Sequence, residues 1–166
     1  MAARQERRSY WTWGYESDEP SGAVREEQAR IVSARFGREV TPPPVVPVEE
    51  AELRPSRIEI PARMSWVTGD HVERATHTYG GHALELLAGL RGTFVNPPDA
   101  VAHPLNEDEL EATLQWCDQK GFSAVPYGGG TSVVWGVNAP HGSDAAVTID
   151  LDHLSSVIEL DEISRA

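Results

Sequence analysis

Apolar residues recur in two different rhythms along this chain, and the rhythm changes near residue 97. From Ser21, which can cap a helix, to Gly37, which can stop one, Val24, Ile31, Val32 and Phe36 return at helical spacing among surface arginines. That pattern predicts an amphipathic helix. A second helical region is predicted from Thr68 to Tyr79, with Val72, Ala75, Thr76 and Tyr79 on one side and Gly80-Gly81 ending it, and a short apolar helix from His82 to Leu90. Beyond Pro97 the chain alternates strand and helix. Ala100 to His103 reads as a strand; Asn106, with Glu109 three residues on, opens a helix carrying Leu110, Leu114 and Cys117, and Gly121 closes it. Phe122 to Pro126, Ala145 to Leu151 and Val157 to Leu160 read as further strands, the middle one apolar enough for burial on both faces, and Ser164 to Ala166 as the start of another element.

The first third follows neither rhythm. Trp11, Trp13 and Tyr15 lie two apart, so an extended backbone would put their rings on one face. Four of the seven residues in Thr41-Pro-Pro-Pro-Val-Val-Pro47 lack an amide hydrogen, which predicts an extended connector. Residues 1–62 therefore read as an arm and Pro-rich connector wrapped over another body, 63–96 as a helical segment, and 97–166 as an α+β unit with a small mixed sheet and helices.

Charge narrows the function. The 166 residues hold 14 Lys plus Arg against 26 Asp plus Glu, a net charge of −12. Residues 104–166 carry two basic and eleven acidic side chains. No basic footprint for duplex nucleic acid or an anionic membrane is present, and no apolar run approaches the roughly 18 residues of a spanning helix. Cys117 is the sole cysteine, which excludes an intramolecular disulfide and a Cys-based zinc site and suits a reducing compartment, with the cytoplasm as the expected location.

The segment that carries chemistry is Pro126-Tyr-Gly-Gly-Gly-Thr-Ser132. Three consecutive glycines remove every Cβ from the turn, permit positive φ, and let successive N–H groups point into one concavity that binds anions. Thr131 and Ser132 add hydroxyl donors, so a diphosphate could be held with no lysine. No Lys follows, so this is not the phosphate loop of nucleoside triphosphatases; Val133 stands where a dinucleotide fingerprint needs a third glycine. The plain alternative is a flexible turn. Its position, directly after an apolar strand and before Val133-Val-Trp135-Gly, favours the binding loop.

Together with Pro98-Asp-Ala-Val-Ala-His-Pro104, the capped helix and Val147-Thr-Ile-Asp-Leu-Asp-His-Leu154, this loop resembles the first half of the FAD-binding domain of the vanillyl-alcohol-oxidase/p-cresol-methylhydroxylase type. The likeness runs over about residues 97–166. Upstream, Trp11-Thr-Trp-Gly-Tyr15 and Arg74-Ala-Thr-His-Thr-Tyr-Gly80 are similar to the alkylglycerone-phosphate synthase subgroup of that family. The resemblance implies that Pro126, Tyr127, Gly128, Gly129, Gly130, Thr131 and Ser132 wrap the FAD pyrophosphate, and that Gly136 lets the backbone approach the cofactor. Thr131 occupies the position where some relatives carry a flavin-linked histidine, so non-covalent FAD is implied. It also implies either the synthase reaction or oxidation of a 2-hydroxy acid or alcohol. Family members continue into a second half of the FAD domain and a substrate domain that 166 residues do not hold. A truncated piece of a flavoenzyme is therefore expected, completed by another chain or self-associating; the competing reading is a non-catalytic interaction module that binds no FAD by itself.

The remaining candidates read as structural. His71, His77 and His82 invite a metal reading, but six residues of helix turn through about 600°, so His71 and His77 do not share a face. Cys117 fits a core position without a base beside it. Glu107, Asp108, Glu109 and Glu111 occupy a first helical turn, where carboxylates favour the dipole. Trp11, Trp13 and Tyr15 are better suited to covering apolar surface than to stacking bases, given the charge.

Overall fold

The computed structural model describes residues 6–142, 144–160 and 163. Its centre is a four-stranded mixed sheet of β1 (Val67–Thr68), β2 (Ala100–Ala102), β3 (Ser123–Tyr127) and β4 (Ala146–Asp150), in the order β1-β2-β4-β3. β4 is flanked by parallel partners, with Ala100 opposite Val147 on one side and Tyr127 opposite Asp150 on the other, and β1 runs antiparallel to β2. Every residue of β2 and β4 is buried, as mostly apolar runs predict for strands covered on both faces, and Thr148 and Asp150 of β4 are buried with them.

The helices are α1 (Gly22–Phe36), α2 (His71–Thr76), α3 (Ala83–Leu90) and α4 (Glu107–Lys120). The capping signals act as read. Ser21 Oγ accepts from the Val24 amide, Asn106 Oδ1 accepts from Glu109, and Gly37 and Gly121 take left-handed φ of 63° and 67° at the helix ends. One core cluster joins Met64, Val67, Ala100, Ala102, Trp116, Cys117 and Val147. Another joins Val48, Ala51, Ala75 and Phe94, with Tyr10 and Leu53 of the arm against it. The arm is thus part of the core, and its proline segment is extended and tied down by Tyr10 Oη donating to the Val46 carbonyl (2.6 Å) and Val46 N–H donating to Leu90 (3.0 Å).

Five sequence expectations are corrected. The second helix is only α2: Thr68 pairs in β1, Asp70 caps by accepting from Val72 and Glu73 (2.9 and 3.1 Å), and His77 already ends the helix. The aromatic triplet does not share a face, because Gly14 at φ 93° folds the segment back and pairs Arg8 with Tyr15. Trp11 is buried, while Trp13 lies on the surface with its indole N–H on the Gly81 carbonyl (3.1 Å). α1 forms, but Val24, Ile31, Val32 and Phe36 stay exposed and only Ala29 is buried. On α4 the covered face is Thr113, Trp116 and Cys117, with Leu114 outside. Residues 157–160 are irregular and exposed, since a strand there has no neighbour to pair with among the described residues. The element expected at Ser164 to Ala166 lies outside the described residues.

Candidate functional site

β3 delivers the glycine segment to the C-terminal edge of the parallel strands, the side on which open α/β sheets bind ligands. Gly128 and Gly129 are exposed, and a Cβ built on Gly128 meets nothing within 4 Å. Among the described residues, none of the N–H groups of Gly128, Gly129, Gly130 and Thr131 has a protein acceptor. These four donors stand at a turn largely open to solvent, where water or the oxygens of a ligand can take them. Gly130 supplies the turn with φ 66°.

The sequence-predicted residues divide into those that face outward and those that hold the turn. Tyr127 lies inward: its ring is buried, its hydroxyl sits 3.4 Å from the Thr76 and Tyr79 carbonyls, and a Cβ on Gly130 would come within 2.3 Å of that oxygen. Burial pushes the Tyr127 phenol up to about 12, so it stays neutral beneath the loop. Ser132 is also committed internally, its Oγ accepting from Gly136 N–H (2.9 Å) and its carbonyl from Gly81 N–H (2.7 Å). Gly136 therefore lets the backbone close on Ser132; a Cβ there would be 3.1 Å from that hydroxyl. Pro126 and Thr131 are exposed.

Sequence reading missed the clamp behind the loop. A Cβ on Gly80 would stand 2.2 Å from the Ser132 carbonyl oxygen, and one on Gly81 2.5 Å from Trp13 Nε1. The pair does not end α2; it lets three pieces of backbone and the arm's indole meet. The only sequence signal was the glycine pair itself. Also missed was the setting of His77. Its Nε2 is 2.9 Å from Asp150 Oδ2 at the end of β4, and His103, just past β2, has Nε2 at 2.9 Å from Glu73 Oε2. The hydrogen bond to Glu73 and its charge hold His103 above the ordinary imidazole value. These groups edge a hollow of about 280 Å³ that also touches Arg8 and Asp152.

The amide row, three of its four residues glycine and with Arg8 of the arm edging the same crevice, fits a dinucleotide diphosphate held mainly by the main chain. The family model described as FAD binding domain matches residues 98–166. Residues 98–166 are accordingly similar to an FAD binding domain, and the match supports FAD as the cofactor of this segment. More particularly, the chain is similar to alkyldihydroxyacetonephosphate synthase of Trypanosoma brucei brucei, 32% identical over 94 residues, and to that of Dictyostelium discoideum, 27% identical over 92 residues. Each match covers 55% of this chain, which spans only 15% of either relative. A mitochondrial D-lactate dehydrogenase [cytochrome] of Arabidopsis thaliana is 38% identical over 63 residues, covering 38% of this chain and 11% of that protein. Two solved structures of alkyldihydroxyacetonephosphate synthase share the fold, with TM-scores of 0.63 and 0.64 at 21% and 23% identity. Each covers 73% of this chain, which matches 25% and 24% of theirs.

Proposed function

We propose that this chain holds the diphosphate of non-covalently bound FAD in a flavoenzyme of the alkyldihydroxyacetonephosphate synthase kind, working in a reducing compartment such as the cytoplasm. The observation that carries the reading is the row of four unbonded N–H groups from Gly128 to Thr131. In it these amides donate to the phosphate oxygens, the Thr131 hydroxyl adds a donor, and Pro126 sets the entry to the turn. Tyr127 props the loop from below, and Ser132 and Gly136 lock its exit. Preorganised dipoles of this kind bind an anion without paying to reorganise when it arrives. FAD, when bound, supplies an electron-accepting ring.

The synthase reading is favoured by similarity over 94 and 92 residues, longer than the 69 residues of the FAD domain match and so reaching beyond it. A second reading, oxidation of a 2-hydroxy acid, is favoured by the higher identity to the D-lactate dehydrogenase within its shorter stretch.

The cradle is tested on the isotopically labelled full chain by adding FAD and following backbone amide resonances. Shifts concentrated at Gly128 to Thr131, and weakened about tenfold or more in Gly129→Val, are expected. Gly129 suits this purpose because a Cβ there meets only the Thr131 side chain, at 3.9 Å, so the fold tolerates the change. Unmoved loop amides, or equal binding by the variant, would remove the loop from the site.

A further inference from the structure

The His77 neighbourhood carries a second chemistry that owes nothing to the flavin reading. We propose that Glu73, His77 and His103 bind a first-row divalent cation of the Zn²⁺ class, with Asp150 orienting His77. The cluster is built by the fold. Glu73 and His77 stand four apart on α2, whose start is fixed by the Asp70 cap, and β2 places His103 opposite them.

One carboxylate oxygen of Glu73 and one ring nitrogen from each histidine all lie within 4.8 Å of one another. Glu73 Oε2 is 2.9 Å from His103 Nε2 and 3.6 Å from His77 Nδ1. Donors about 2.0–2.2 Å from a tetrahedral ion stand about 3.3–3.6 Å apart, so small side-chain movements admit the ion.

Hydrogen-bond bookkeeping on His77 points the same way. Its ring is nearly inaccessible, with a side-chain exposure of 4%. Nε2–H can donate to Asp150 Oδ2 at 2.9 Å, which leaves the Nδ1 lone pair turned toward the Glu73 carbonyl oxygen at 2.8 Å and the Glu73 carboxylate. Thr76 Oγ1 stands 3.2 Å from the same nitrogen, so Nδ1 has two oxygen acceptors and one hydroxyl around it and keeps a lone pair that a metal ion can take up. A carboxylate bonded to the far nitrogen is the arrangement that fixes the tautomer and orientation of a ligating histidine. Arg8 reaches Asp150 at 3.8 Å and Asp152 at 3.4 Å, which leaves the Glu73 carboxylate to the two histidines. Two imidazoles and a carboxylate form a borderline donor set suited to Zn²⁺ and its neighbours. The hollow beside them leaves room for water as a fourth ligand.

The untagged full chain is titrated with Zn²⁺ against a chromophoric chelator, and with Co²⁺ as a spectroscopic probe. Expected are one tightly held Zn²⁺, visible Co²⁺ bands of a four- or five-coordinate ion, and Zn²⁺-induced shifts of the His77 and His103 ring nitrogens. His103→Gln and Glu73→Gln should weaken Zn²⁺ binding about 100-fold or more and Asp150→Asn about tenfold, in the range of an orienting partner. His141→Gln, at an exposed position, should change nothing. Absence of Zn²⁺ binding, or undiminished binding by His103→Gln and Glu73→Gln, overturns the proposal. The ring-nitrogen spectrum of the unsubstituted chain decides it even where a variant fails to fold: unmoved nitrogens overturn it.

Discussion

The two ends of the parallel strands treat polar groups in opposite ways. At the N-terminal end, Asp99 precedes β2 with its side chain fully inaccessible and every oxygen engaged: Oδ1 accepts from Arg54 (2.6 Å) and the Arg57 amide (2.9 Å), and Oδ2 from Arg57 (2.7 Å) and the Ala146 amide (2.9 Å). Arg74 closes the knot by donating to the carbonyls of Pro98 and Arg54. At the C-terminal end, the amides of Gly128 to Thr131 have no protein acceptor among the described residues, and oxygen acceptors lie near both ring nitrogens of His77. One end saturates its hydrogen bonds and so ties the arm to the sheet. The other leaves donors unspent where a ligand can use them, in line with the way parallel sheets separate stability from chemistry.

The sharpest way to break this comparison is to empty the saturated end. Asp99→Ala removes a buried anion and leaves two guanidinium groups and the Ala146 amide without their acceptor. Removing one partner of a buried ion pair costs about 3–5 kcal/mol, and since Arg54 and Arg57 retain 26% and 34% side-chain exposure the low end applies, about 3 kcal/mol. Urea denaturation followed by circular dichroism measures it. Burial acts to raise the Asp99 pKa, but the bonds from Arg57, Arg54 and the Ala146 and Arg57 amides win, and the carboxyl is held well below the usual range. Because the folded value lies below the unfolded one, this stabilisation is complete above about pH 5 and is lost as pH falls toward the folded pKa. Asp99→Asn should therefore be less stable at neutral pH, with a shallower acid limb than the unsubstituted protein.

A smaller effect is expected at the open end, where the glycine loop is braced from behind by Gly80. Its Cβ would overlap the Ser132 carbonyl oxygen at 2.2 Å and approach Val137 Cγ2 at 3.1 Å, so Gly80→Ala must push the loop away from α2. Overpacking of this kind costs about 1–3 kcal/mol. Thermal unfolding should show that loss, and the FAD-induced shifts at Gly128 to Thr131 should shrink with it, because the brace that sets the amide row has moved.

Local signals carried most of the architecture. The caps at Ser21 and Asn106, the stops at Gly37 and Gly121, and the apolar run of β4 each act over a few residues, and each appears where the pattern places it. The glycine loop was legible for the same reason. What the sequence hid depends on partners far along the chain. Asp99 is 42 and 45 residues from its arginines, Glu73 is 30 from His103, and His77 is 73 from Asp150. No periodicity connects such pairs; the sheet does. Thr68 reads as the start of the helix that follows, yet it pairs with Val101 and the helix begins only after the Asp70 cap, a boundary that a partner 33 residues away helps to set. The exposed apolar residues of α1 show the converse: spacing predicted a buried face, but burial needs a second surface, and the described residues offer α1 little of one.

The finest distinction lies between adjacent glycines of the loop. Gly130 has φ 66° and the Tyr127 hydroxyl beneath it, so a side chain there is opposed by both backbone and packing. Gly128 has neither constraint: its φ is not in the left-handed region and its Cβ direction is open. Gly128→Ala should leave stability within about 0.5 kcal/mol, the range of ordinary surface substitutions. Its effect, if the amide row faces a diphosphate, falls on the ligand alone, because the new methyl group stands in the space from which the phosphate approaches. A few-fold weakening of the FAD-induced amide shifts at unchanged thermal midpoint would show that the missing side chain serves binding. Full retention of those shifts would mean that the phosphate arrives from the Gly129 and Thr131 side of the turn, and would move the cradle by one residue without touching the saturated end of the sheet.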